Sequence, residues 1–117
     1  MALPADPDFR AQLRALGDKF AATVPERMAT IADALAAAGT APDQAALERL
    51  HHALHTVAGS AGSFGFTVLG NQARRLEQAV RALLGGEGTW SALVPQVETY
   101  LAWAASDPRA DEYLSHD

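Results

Sequence analysis

Apolar side chains recur every three or four positions along most of the chain, beginning with Phe9, Leu13, Leu16, Phe20, Val24, Met28, Ile31 and Leu35. Successive residues of an α-helix turn by about 100°, so this spacing places all eight on one face of a helix. Asp6 followed by Pro7 reads as its cap and first turn, and Gly39 as its end. The stripe keeps its phase across Pro25, which lacks a backbone donor and crowds the carbonyl four residues earlier. A kinked helix, or two abutting helices, is expected there.

Three further stripes follow. Thr40 and Asp43 fit a capping box for a second helix with Leu47, Leu50, Leu54, Val57 and Ala61 inward. A turn near Phe64 to Thr67 leads to a third helix, whose inward set is Leu69, Ala73, Leu76, Val80 and Leu83, and Gly85-Gly86-Glu87-Gly88 stops it. Thr89 is placed to cap a fourth helix carrying Trp90, Leu93 or Val94, Val97, Leu101 and Ala104, which ends near Ser106-Asp107-Pro108. Short loops force neighbouring helices to pack antiparallel, so the expected fold is all-α, an up-and-down antiparallel four-helix bundle. The bundle is assigned to residues 1–108, with room for a short extra helical segment at the N-terminus, and residues 109–117 to a frayed polar tail.

Composition narrows the function more than the fold. At 117 residues and 49% hydrophobic, the chain suits a single core, and a monomer is expected. It has no cysteine, which excludes disulfides and thiolate metal sites. The net charge is −5 and the nine Lys and Arg residues are scattered, so no nucleic-acid partner is expected. Neither a membrane-spanning run nor a signal core is visible, and a cytoplasmic location is expected.

The candidate chemistry sits on the second helix. His51, His52 and His55 cluster there, with His51 and His55 four apart and hence on one face. Such a pair could supply two ligands to a zinc or copper site, but the pattern offers no third, and His51, His52 and His116 read as surface or boundary histidines of no special role. His55 lies at the edge of the buried stripe, with Ala58, Gly59 and Gly62 following it. Helical glycine costs about 1 kcal/mol relative to alanine. The small residues therefore either clear a path to the imidazole or serve the end of the helix and its packing. Glu77 lies as far beyond the turn as His55 lies before it, so an antiparallel hairpin puts the two at one height. A carboxylate there can accept a hydrogen bond from Nδ1–H and leave Nε2 free as a nucleophile, or it can pair with Arg74 and Arg81 on its own helix.

The segment from Leu47 to Leu84, and within it Leu54-His55-Thr56-Val57-Ala58-Gly59-Ser60-Ala61-Gly62-Ser63-Phe64-Gly65 followed by Leu69, Ala73 and Leu76-Glu77, resembles the histidine-containing phosphotransfer (HPt) domain of multistep phosphorelays. It is also similar to the phosphoacceptor domain of chemotaxis histidine kinases. The resemblance implies that His55 is the phosphoacceptor, that Gly59 gives access to it, and that Glu77 orients the imidazole. The family usually carries a lysine three residues after the histidine, where this chain has Ala58, and Arg74 is the expected substitute cation.

The activity implied is relay of a phosphoryl group from a receiver-domain aspartate to His55 and on to another receiver, without ATP-dependent activity. The implied partners are receiver domains of response regulators and hybrid histidine kinases, met in brief encounters. No cofactor or metal of its own is expected, Mg²⁺ coming from the receiver. The competing expectation is a helical adaptor that docks a receiver or kinase without being phosphorylated.

Overall fold

A computed structural model describes residues 7–113. Among them four α-helices follow one another, α1 (Pro7–Ala38), α2 (Gln44–Ser60), α3 (Thr67–Leu84) and α4 (Trp90–Ser106), with one 3₁₀ turn (Ala61–Phe64) between α2 and α3. They form an up-and-down antiparallel bundle in which α2 packs on α1 and α3, and α4 closes the ring against α3 and α1. The α2–α3 hairpin has the most extensive contact, and it carries the functional residues.

The core is where the periodic stripes converge. Ile31, Leu50, Leu54, Val57, Leu69, Leu76, Val80 and Val97 are all fully buried. Each such side chain contributes roughly 1.5–3 kcal/mol by leaving water, which outweighs the modest helix propensity of the β-branched members. Tyr100 joins them, fully buried, its phenol donating to the Leu69 carbonyl at 2.9 Å across the α3–α4 interface.

Burial, with a smaller contribution from the Tyr113 phenol, raises the Tyr100 pKa above its ordinary value of about 10. The unfolded phenol therefore ionises first, so this residue's contribution to stability is complete below pH 10 and is lost as pH rises through the alkaline range. Tyr100→Phe should lower stability by about 1 kcal/mol at neutral pH and make the decline above pH 10 shallower, both readable from denaturant melts across pH. Equal alkaline slopes in the two proteins would refute this role.

Several expectations change at the bundle's edges. α1 runs unbroken through Pro25 and there is no separate N-terminal segment among the described residues. Phe20, Val24 and Met28 hold both flanks of the proline in the core. With 32 residues against 17 in α2, α1 is about 48 Å long against about 26 Å, and its first turns outrun their partners. Phe9, Leu13 and Leu16, placed inward by the periodicity, are accordingly exposed. The Asp6 cap lies outside the described residues.

Asp43, not Thr40, is the N-cap of α2: its backbone is extended and its Oδ1 accepts from the Ala46 N–H at 2.8 Å. Pro42 disfavours helical backbone at Ala41, so a helix capped by Thr40 cannot begin there. Thr89 occupies the N-cap position of α4 without a side-chain capping bond. The expected frayed tail is docked through Tyr113. Arg109 pairs with Asp18 of α1 at 2.8 Å and lies over the Phe66 ring, and Tyr113 packs edge-on against Trp103.

Candidate functional site

His55 and Glu77 meet across the α2–α3 hairpin. A turn and a close approach, each at a glycine, bring their helices together. Gly65 takes a left-handed backbone (φ 88°) that ends the 3₁₀ turn and reverses the chain. One turn into α3, a Cβ on Gly70 would lie 3.2 Å from that of Ala61, so glycine there lets α3 start close against the end of α2. Val57, Ala73, Leu76 and Val80 then lock the register.

In that register His55 Nδ1 lies 2.5 Å from Glu77 Oε2. The two ends of this contact differ sharply in environment. The imidazole is 61% exposed, whereas the Glu77 side chain is only 9% exposed. A buried carboxylate demands donors, and Nδ1–H is a well-placed one. With the proton held at Nδ1, Nε2 keeps its lone pair on the exposed side of the ring.

His51 approaches the same carboxylate oxygen, its Nε2 3.3 Å from Glu77 Oε2, and its ring lies nearly parallel to that of His55. Arg81 Nη2 stands 3.5 Å from the same His51 nitrogen. His51, expected as a surface or boundary residue, is a boundary one, its side chain 21% exposed. The signal for this place beside Glu77 was present in the four-residue spacing, but the position of Glu77 between the two turns was needed to read it. His52 is exposed on α2, and His116 lies outside the described residues. Among the described residues no group of three or more His, Cys, Asp or Glu side chains is arranged to hold a metal ion.

Gly59 is exposed one turn beyond His55, and a side chain added there or at Gly62 would meet nothing within 4 Å. Both glycine positions are therefore open on their outer side. Ala58 does not join them: at 6% exposure it is part of the core. Three residues after His55 the helix has turned by about 300°, which carries position 58 toward the bundle, whereas position 59 stays near the His55 face. Arg74 reaches across from α3 and donates from Nη2 to the Ala58 carbonyl at 3.1 Å. Its guanidinium thus lies against the backbone of α2 at Ala58.

The family model described as Hpt domain matches residues 15–106, which includes all of α2 and α3 and nearly all of the bundle. No curated protein and no solved structure matches the chain.

Proposed function

The chain belongs to the Hpt domain family, whose members are histidine phosphotransfer modules of phosphorelays, and from that premise we propose that His55 is its phosphoacceptor. The observation that carries the reading is the His55–Glu77 contact, in which an exposed imidazole is tied through Nδ1 to a buried carboxylate.

In the proposed reaction the Nε2 lone pair of His55 attacks the phosphorus of a receiver's aspartyl phosphate. The new N–P bond forms as the P–O bond to the aspartate breaks, and the aspartate carboxylate leaves with that electron pair. Transfer onward to a second receiver is the reverse of this step. Such a transition state spreads charge over three equatorial oxygens and requires the attacking and leaving atoms in line. Glu77 supports it by holding the ring and by stabilising positive charge that develops on the imidazole. Gly59 and Gly62 leave room for the receiver's backbone beside Nε2. The receiver supplies Mg²⁺, and the chain acts as a relay without turning over ATP.

Arg74 is the proposed cation for the phosphoryl group. One of its N–H groups is used on the Ala58 carbonyl, and a guanidinium has five. Arg74→Ala should slow phosphoryl acceptance and shorten phosphohistidine lifetime by roughly three- to tenfold, with Arg74→Lys in between. Unchanged rate and lifetime in Arg74→Ala would remove Arg74 from the site.

The proposal as a whole is tested by mixing the chain with phosphorylated receiver domains and following an acid-labile, alkali-stable phosphoryl group on it. Receivers that form a complex yet leave the chain unlabelled would favour the adaptor reading. Partners and direction of flow follow from the same assay run against each receiver of the source organism, in which rapid loss of label from one receiver and gain by another is the expected pattern.

A further inference from the structure

The stripe that α1 buries against the bundle does not stop where the bundle stops. Phe20, Val24, Met28 and Ile31 are buried, whereas Phe9, Leu13 and Leu16 continue the stripe toward the N-terminus at 42%, 51% and 46% exposure. Phe64 of the 3₁₀ turn, 37% exposed, covers the bundle end below them, its ring stacked on that of Phe20 with centroids 5.2 Å apart. Leu13, Leu16, Ser63, Phe64 and Gly65 line a groove of about 220 Å³ between the overhang and that end. Together Phe9, Leu13, Leu16 and Phe64 leave roughly 300–400 Å² of apolar surface in water on each copy, the size at which a contiguous patch marks an interaction surface. We propose that the α1 overhang is a self-association surface, on which the overhang of a second copy of this chain packs antiparallel about a two-fold axis.

Sterics select the direction. The stripe faces the bundle along the rest of α1, so beyond the bundle end it faces the space that a continued bundle would fill. Helices pack with their axes about 8–10 Å apart, and a helix entering that space from the same direction would drive its own bundle, 27 × 23 Å in cross-section, into this one. A helix entering from the opposite direction leaves its bundle at the far end. The spacing of four, three and four residues between Phe9, Leu13, Leu16 and Phe20 is that of a two-helix seam. With the axis between Leu13 and Leu16, each Leu13 faces the partner copy at the level of Leu16, and each Phe9 comes level with Phe20 of the other copy, where Phe64 and the groove offer an apolar seat.

Charge complements the shape. Residues 7–19 carry Arg10, Arg14 and Lys19 against Asp8 and Asp18, one net positive charge in a chain of net −5. The antiparallel arrangement carries each overhang to the other copy's bundle end, where Asp107 and Asp111 follow α4 and Arg109 holds that segment over Phe66. Two short overhangs make an interface at the small end of specific ones, about 1,200 Å² in total, so the dimer should form reversibly at micromolar concentrations. His55 and Glu77 lie on α2 and α3, outside the seam, and the association does not depend on their role.

The test is analytical ultracentrifugation of the full chain over about 1–500 µM, with Leu13→Glu and Leu16→Glu beside it. The wild type should pass from one chain mass to two, and each variant, which sets a charge into the seam, should associate at least about tenfold more weakly. Both leucines are about half exposed in the single copy, so thermal midpoints at low concentration should be unchanged. Because the chain has no cysteine, oxidation of single-cysteine variants reads the direction. Leu13→Cys, near the axis, should cross-link to its twin, and Phe9→Cys, about 16 Å from its twin along the seam, should not. A wild type that remains one chain throughout would overturn the proposal, as would a dimer indifferent to Leu13→Glu or cross-linking at both cysteines. A monomer whose Leu13→Glu variant loses affinity for a receiver would overturn it too, and would give the face to the receiver.

Discussion

His55→Gln is expected to accept no phosphoryl group from any receiver that labels the wild type. Glutamine keeps a polar side chain of similar reach, but its amide nitrogen has no available lone pair, so the nucleophile is removed while the surface changes little. The imidazole is 61% exposed, and the glutamine amide can still donate to the Glu77 carboxylate, which limits the effect on folding to roughly 0.5 kcal/mol. Loss of label with an unchanged thermal midpoint therefore isolates chemistry from stability. Phosphorylation of His55→Gln at the wild-type level would move the acceptor elsewhere.

The second large effect is expected at Glu77. Glutamine there can still offer an oxygen to Nδ1–H, but it carries no charge to set against the positive charge that grows on the imidazole as Nε2 attacks. A hydrogen bond to an ionised group contributes about 1.5–3 kcal/mol, so Glu77→Gln should slow acceptance by roughly ten- to hundredfold. Glu77→Ala should fall at the low end of activity, because it also frees the ring to turn. Glu77→Asp separates charge from reach: the carboxylate remains but is one methylene shorter, and Oε2 already sits at 2.5 Å in the native geometry. If charge alone mattered, Glu77→Asp would behave as wild type; the expected result is a substantial loss. Stopped-flow transfer from a phosphorylated receiver gives all three rates, and equal rates in wild type and Glu77→Gln would remove the carboxylate from the mechanism.

Much of this arrangement was legible in the sequence because it depends on helical periodicity. The stripes of α2 and α3 named the right core, and counting from the turn put His55 and Glu77 at one height, where they meet. Periodicity describes a helix and not what faces it, which is why Phe9, Leu13 and Leu16 read as core although α1 has outrun its neighbours there. Ala58 is a related case: positions three and four beyond His55 flank its face on opposite sides, and the side toward the buried stripe of Leu54, Val57 and Ala61 is the one that carries Ala58 into the core.

Tyr100 lies outside the apolar pattern because its hydroxyl counts as polar, yet three residues from Val97 it follows the stripe, and the Leu69 carbonyl satisfies it. His51 and Arg109 lie against side chains 26 and 91 residues away in the chain, His51 against Glu77 and Arg109 against Asp18. No local pattern announces such contacts.

The central claim concerns one atom, His55 Nε2. The most direct measurement is phosphorus and nitrogen NMR of the protein after transfer from a phosphorylated receiver, kept at alkaline pH so that the phosphoramidate survives. The account predicts a single phosphoryl group bonded to His55 Nε2, with the proton retained on Nδ1 beside Glu77. A phosphoryl group on Nδ1, on another residue, or on no residue of a chain that still binds the receiver would contradict it.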